Sequence, residues 1–409
     1  MRNIMLKFAH RQIWRRLPRA TRRAVLLHGS ARLAPRVTAS AKAESPIIVV
    51  GPLRAASGLG EGARVCHDAL KQMGLPVFGI DLSRTLLYDE DYADYVFDDG
   101  RHLIGAGTLF LHVSGPLVPL ALLRLGRKLV RGKRIIAHWV WELPQMPHDW
   151  RLGVPFVHEV WAPSRFAAEA IATITGDRPV QVLHHPIKPP NGWPKARYLG
   201  GRRPFTALLI FNIASSFERK NPCAAIKAFR QAFGDDPDAR LIVKHSNASA
   251  FPEALKLLEE MAGGASNIVF VGQTMDADGI DALYAQSDVV LSLHRAEGFG
   301  LVIAEAMLRG IPVIATDWSG NTDFLTRETG IPVGYRLIPA RDPQDTYDYP
   351  GLSWADADVS EAAEALKALR ADPNLRKRLG KAAAAHATEL FSPLAYGQKV
   401  KKLLDLSRG

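Results

Sequence analysis

The stretch "HRAEGFGLVIAEAM", His294 to Met307, sets two carboxylates around a glycine turn in otherwise apolar sequence. Carboxylates are rarely placed beside a core without a partner. The preceding run "DVVLSLH" (288–294) reads as a buried strand, "RAEGFG" as a loop, and "LVIAEAMLRG" as a helix closed by Gly310. Leu301, Ala304, Leu308 and Ile311 recur at helical spacing and predict an inward stripe. Gly298 and Gly300 let the backbone bend tightly and approach a ligand. The helix N-terminus, with its free N–H groups and partial positive charge, favours phosphate. Glu305 lies about one turn into the helix, roughly 6 Å along the axis from Leu301 at about 1.5 Å per residue. It would repel phosphate but can accept hydrogen bonds from hydroxyls, as on a ribose. Glu297, on the loop, addresses another part of the ligand. Acids offset in this way suit a molecule with hydroxyls at both ends and phosphates in the middle, a nucleotide sugar.

Working outward, strands and helices alternate along the chain. "PIIVVG" (46–51), "PVFGID" (76–81), "TLFLHV" (108–113), "RIIAHWV" (134–140) and "EVWAP" (159–163) read as strands, with helices at 63–74, 117–130 and 164–175. A polar, proline-rich stretch at 184–204 reads as a linker, and the pattern then restarts. "FTALLIFNI" (205–213), "ARLIVKHS" (239–246), "NIVFVG" (267–272), "DVVLSLH" and "PVIATD" (312–317) are the next strands, and residues 360–406 are mostly helical. The expected organisation is a basic arm (1–45), an α/β domain (46–195), a second α/β domain (204–385) and a C-terminal helix (386–409) crossing back to the first. Ligands of open α/β sheets bind beyond the carboxyl ends of the strands, so two facing sheets predict a cleft site.

Three further constellations fall just after strands. In "SSFERKNP" (215–222), Arg219 and Lys220 stand at the expected start of a helix, where an anion would offset their unfavourable interaction with the dipole. "SGLGEGA" (57–63) places glycines at 58, 60 and 62 after the first strand. By itself this fits an ordinary turn as well as a phosphate loop, and with Asp81 it fits a dinucleotide site in which the glycine spacing is irregular. "LFLHVSGP" and "IIAHWVWELP" end strands in His112 and His138. Trp139, Trp141 and Glu142 beside them suit carbohydrate, though a strand-end histidine is often structural.

"EGFGLVIAEAM" resembles the E-x7-E signature of retaining glycosyltransferases of the GT-B fold in family 4, and "GIPVIATDWSGNTDFL" (310–325) continues the likeness. It runs over roughly residues 46–395 and is looser in the N-terminal half. The resemblance implies two facing Rossmann-like domains, retention of configuration and no essential metal or cofactor. It implies a UDP- or GDP-linked donor held by Gly58, Gly60, Arg219, Lys220, Phe299, Gly300, Leu301 and Glu305, with Glu297 and His138 at the sugar. The family usually carries Arg five residues before the lysine, where this chain has Ser215; Arg219 is the candidate substitute. "WELPQMP…W" resembles a bacterial branch of surface-polysaccharide assembly, which implies a glycan or lipid-linked acceptor. Three other readings stay open: an NAD-dependent oxidoreductase, a non-catalytic sugar-binding protein, and a nucleotide-sugar epimerase.

The chain has 409 residues, 47% hydrophobic, enough for two or three domains with sizeable cores. Cys66 and Cys223 are far apart and form neither a disulfide framework nor a zinc-spaced cluster. Of the formal charge of +11, the first 45 residues carry eleven cations against Glu44 alone, so the high charge belongs to the arm. There Ile4, Met5, Phe8, Ile13, Trp14 and Leu17 alternate with Arg and Lys, and Pro18 separates a second helix at 24–27. Aromatics on one side and arginines on the other predict contact with an anionic membrane surface. No apolar run of about 18 residues predicts a transmembrane helix, and no recognition module accompanies the charge to suggest nucleic acid. The expected location is cytoplasmic, peripheral on the inner membrane.

Overall fold

Continuous runs of Ile, Val and Leu can be buried on both faces, and they build two parallel sheets here. The structure, a computed structural model, describes residues 18–38, 41–90, 92–188 and 203–404. The first sheet contains β1 (Ile47–Gly51), β2 (Val77–Asp81), β3 (Gly107–Leu111), β4 (Lys133–His138), β5 (Glu159–Ala162) and β6 (Val180–Val182), in the order β2-β1-β3-β4-β5-β6. The second contains β7 (Phe205–Asn212), β8 (Ala239–Ser246), β9 (Ile268–Val271), β10 (Val289–Ser292), β11 (Val313–Thr316) and β12 (Ile331–Val333), in the order β12-β11-β10-β7-β8-β9. β1 and β3 are buried along their whole length.

Helices cover the faces: α1 (Arg19–Leu33), α2 (Gly58–Gln72), α3 (Val118–Leu125), α4 (Arg127–Val130) and α5 (Arg165–Thr175) in the first half. The second half has α6 (Phe217–Lys220), α7 (Pro222–Phe233), α8 (Pro252–Ala262), α9 (Ala277–Ala285), α10 (Leu301–Leu308), α11 (Val359–Ala371) and α12 (Pro373–Phe391). The last helix, α13 (Pro393–Leu403), leaves the second half altogether. Phe391 accepts a backbone bond from Ile187 (2.9 Å), Ser392 caps α13, and the helix lies on α2 of the first domain. Tyr396, Val400 and Leu404 complete the core around Cys66 and Leu70 there, and the Tyr396 hydroxyl meets the Cys66 thiol at 3.0 Å.

Three features differ from the sequence reading. The basic segment is not a separate arm throughout. From Arg19 it forms α1, which packs on α3, buries Leu27 and Ser30, and ties Arg23 to Asp149 at 2.8 Å. The interleaved residues from Ile4 to Leu17 lie outside the described residues, as do 189–202 of the linker and 405–409. Second, α10 buries Ile303, Ala304, Ala306 and Met307, while Leu301 and Leu308 are only partly covered. The helix is enclosed on more than one side, so a single-stripe reading shifts it. Third, an antiparallel hairpin, β13 (Tyr335–Pro339) with β14 (Ser353–Ala357), rises from the second domain. Its first strand is largely exposed and carries no apolar alternation, so periodicity gave no sign of it.

Tyr396→Ala removes a buried ring and its bond to Cys66 at the crossing, and is expected to cost about 3 kcal/mol. Denaturant unfolding followed by circular dichroism measures this; a loss under about 1 kcal/mol would mean that α13 does not hold the domains together.

Candidate functional site

β10 ends at the start of the His294–Met307 stretch, and buried polar contacts set the geometry of the loop beyond it. The His294 ring bonds Asn321 (2.9 Å) and its carbonyl accepts Thr316 Oγ1 (2.6 Å). The loop then turns against the other domain. A Cβ on Gly298 would stand 2.5 Å from Val140 Cγ1 and 3.2 Å from the Trp141 carbonyl, so only glycine fits this seam. Ser164 Oγ donates to the Gly298 carbonyl across it (2.7 Å). Gly300, at φ 101°, occupies the left-handed region as α10 begins. Phe299 turns its ring into the core, 5.1 Å from Phe324 and 5.4 Å from Phe391, so only its backbone is left for a ligand.

Glu297 lies between two cations. Its carboxylate is 2.5 Å from Lys220 Nζ and 3.2 Å from Arg219 Nη1. Burial alone would raise its pKa, but the charges of Lys220 and Arg219 outweigh burial and hold it at about 2. The cations come from α6, a single turn in which Ser216 Oγ accepts Arg219 N (3.3 Å). The turn ends at Asn221, in the left-handed region, whose side chain donates to the Leu293 carbonyl (2.9 Å). Arg219 and Lys220 therefore end a turn of their own, directly before α7 begins at Pro222 as the sequence reading expected. Arg219 is 2% exposed. It donates to Ala296 O (2.8 Å), Ser215 O (3.0 Å) and Ser215 Oγ (2.9 Å), while its Nε has no partner among the described residues. A guanidinium thus stands against position 215, delivered from 219.

Glu305 accepts a hydrogen bond from the Tyr284 hydroxyl (2.8 Å), and burial raises its pKa. Tyr284 lies under the Arg309 guanidinium (4.6 Å), and Arg309 Nε bonds Asp281 at 3.0 Å. The charge of Glu61, in the first turn of α2, adds to the upward shift of Glu305. In α2, a Cβ on Gly60 would meet the Ala55 and Pro52 carbonyls at 2.5 and 2.7 Å, so its own turn requires glycine; one on Gly58 would meet nothing. Asp81 accepts Arg54 N (3.1 Å) and Ser83 Oγ (2.6 Å). Its carboxylate braces the loop before α2, which removes the free acid that a dinucleotide reading requires.

His138 stands in a buried row of imidazoles. Its ring is stacked on His112 (4.9 Å, 17°) and 4.8 Å from His185. Burial lowers its pKa to about 4. Neither ring nitrogen of His112, nor Nδ1 of His138, has a partner among the described residues. His185 continues the row to Phe299 (5.3 Å) and to Gly62, where a Cβ would meet it at 2.8 Å. Sequence reasoning passed over His185 because it sits in the polar stretch read as linker; its place right after the short β6 was the available signal. Trp139 is fully buried, and Trp141, 6% exposed, packs among Trp150, Tyr347 and Tyr349. Neither offers a free ring face to carbohydrate, which corrects the sequence expectation.

The family described as family 4 glycosyltransferases in conflict systems matches residues 164–390, more than half of the chain. The chain belongs to that family. This family member is 31% identical over 191 residues to the D-inositol 3-phosphate glycosyltransferase of Corynebacterium glutamicum, a match over 46% of this chain and 40% of that protein. It is 39% identical over 85 residues to the lipopolysaccharide core biosynthesis mannosyltransferase LpsB of Rhizobium meliloti, over 20% of this chain and 23% of that one. The chain thus spans less than half the length of these relatives. Its fold is that of Anabaena HepE in complex with UDP and glucose: TM-score 0.62, 17% identity, 88% of this chain and 99% of that chain. The architecture of this family member is therefore GT-B.

The depressed pKa of Glu297 has a definite sign. Its ion-pair stabilisation is fully present above its ordinary value of 4.5 and is lost as pH falls through about 2. Glu297→Gln should cost about 3 kcal/mol at neutral pH, and its deficit relative to wild type should shrink from pH 4.5 towards 2. Chemical denaturation across that range measures the difference; a deficit independent of pH would show that the pair contributes no such linkage.

Proposed function

We propose that this family member is a retaining glycosyltransferase that moves a sugar from a UDP- or GDP-linked donor to a glycan or lipid-linked acceptor in bacterial surface-polysaccharide synthesis. The observation that carries the reading is the ion-pair cluster of Lys220, Arg219 and Glu297 beside the start of α10. A buried guanidinium, a partly buried ammonium and free helix N–H groups form a receptor for a diphosphate. When the donor enters, its phosphates take over the two cations and the Gly300–Leu301 backbone. Glu297 is then released to accept hydroxyls of the sugar. Glu305, beside Tyr284 and one turn into α10, accepts the ribose hydroxyls. His138, held neutral, faces the sugar from the other domain and serves as a hydrogen-bonding group. Charge that develops on the departing diphosphate is stabilised by groups already in place, and this is the main catalytic demand. The guanidinium at Ser215 supports an active enzyme over a non-catalytic relative, because the missing arginine is replaced in space.

A thermal-shift screen of UDP-, GDP- and ADP-sugars should single out one base. Against that nucleotide, Lys220→Ala and Glu305→Ala should each weaken affinity about tenfold or more. Glu305→Ala with wild-type affinity would refute the ribose role. Glu297→Ala should lose turnover far more than it loses nucleotide affinity.

The same proposal places the enzyme on an anionic membrane, where a lipid-linked acceptor lies. Among the described residues no helix is long and apolar enough to cross a membrane. α1 does expose Val25 (51%), Leu26 (40%) and Leu33 (64%) beside Arg23 and Arg32, a composition suited to a lipid surface. Deleting residues 1–17, with five cations, should abolish most co-sedimentation with phosphatidylglycerol vesicles at physiological salt. Unchanged sedimentation would exclude this docking mode.

A further inference from the structure

Residues 340–352, the loop of the β13–β14 hairpin, supply none of the groups assigned to the donor, yet they hold the site from two directions. The loop is rigidly built. The buried Asp342 carboxylate accepts the backbone N–H groups of Gln344 (3.2 Å), Thr346 (3.1 Å) and Tyr347 (3.0 Å). From this base Gln344 grips the turn that carries the cations. Its Oε1 accepts Phe217 N (2.6 Å) and its Nε2 donates to Ile213 O (3.0 Å), bracketing Ser215 and Ser216.

Tyr347 reaches further. Its ring lies under the Arg219 guanidinium, 5.2 Å from the centroid, and also packs on Trp141 of the other domain at 5.5 Å. The Tyr347 side chain also interacts with the Glu142 carboxylate of that domain. The terminal nitrogens of Arg219 are held by Ala296, Ser215 and Glu297, and the Tyr347 ring against its Cζ adds a further restraint on the guanidinium. The ring that orients one phosphate-binding cation thus rests on the opposite domain.

We propose that Tyr347 is a positioning residue for the donor diphosphate: its ring sets the plane of Arg219, and its contacts with Trp141 and Glu142 tie that orientation to closure of the two domains. The inference rests on the diphosphate reading of the Arg219–Lys220 cluster. A buried ring–cation contact accounts for roughly a tenfold change in affinity.

The test is titration of UDP and GDP into wild type, Tyr347→Ala, Tyr347→Phe and Glu142→Gln, with thermal midpoints recorded for each, followed by hydrolysis kinetics with UDP-glucose or GDP-mannose, whichever matches the bound base. Tyr347→Ala should weaken nucleotide binding about tenfold, and Tyr347→Phe, which keeps the ring, should recover most of that loss. Tyr347→Phe and Glu142→Gln should each lower kcat with little change in KM, and the double variant should be no slower than the slower single one. The inference is overturned if folded Tyr347→Ala binds within twofold of wild type, if phenylalanine fails to rescue, or if the kcat losses multiply. Should wild type bind neither nucleotide, the diphosphate reading itself fails and this inference with it.

Discussion

A partly buried carboxylate between two cations, Arg219 fully buried and Lys220 only partly, constrains the rest of this structure. Arg219 and Lys220 lie where burial penalises charge, and Glu297 is the anion that makes their burial tolerable. Holding three charged groups at contact distance requires their backbones to be fixed, and the surrounding bonds do this. Arg295 N donates to Arg219 O (2.7 Å), Ser319 Oγ accepts Glu297 N (2.8 Å), and Gly320 N donates to Glu297 O (2.8 Å). The loops after β7, β10 and β11 are thereby joined into one unit. The glycines at 298 and 320 belong to the same constraint, because a Cβ on Gly320 would lie 2.5 Å from the Gly298 carbonyl.

That unit also forms the seam between the domains. Besides the Ser164 bond to Gly298, the buried Asp323 carboxylate accepts Arg165 N (2.8 Å) and Arg165 Nε (2.9 Å), and lies 3.1 Å from His184 Nε2. These groups belong to the start of α5 and to the segment after β6, so the loop following β11 holds the first domain at two points. Apolar packing runs beside them: Phe299, Phe324 and Phe391 form one cluster, and Phe391 ends the helix that leads into the crossing. The candidate site and the seam between the domains are therefore built from the same short loops.

Much of this was legible in the chain. A strand, a glycine turn and a helix follow from local pattern in "HRAEGFGLVIAEAM", and a glycine between two carboxylates marks close backbone approach whatever the partner. Lys220 was singled out by its place before a helix and by the family resemblance, and the structure sets it against Glu297. What was not legible is long-range. The ring of Phe299 has the same sequence context whether it faces a ligand or a core, and only the positions of Phe324 and Phe391 decide it. Trp141 looked like a sugar platform until the hairpin loop covered it. That loop owes its order to Asp342 and Gln344 bonds rather than to apolar periodicity, so no pattern of hydrophobic residues announces it. A helix after Pro18 was expected, but its packing on α3 was not, because that packing rests on a few small or partly apolar residues among many arginines.

The two sides of the cleft differ in charge. The second domain presents Arg219, Lys220 and Glu297 as an ionised cluster, whereas the first presents His112, His138 and His185, all with pKa values pulled down by burial. Stacked imidazoles at this spacing cannot all be protonated without repulsion in a poorly solvated place, so the row stays neutral and its free nitrogens remain hydrogen-bonding groups. A neutral wall is suited to uncharged hydroxyls and an ionised one to phosphates. A donor with its diphosphate between nucleoside and sugar would therefore set the diphosphate at α10 and a hydroxyl-bearing end against the histidines.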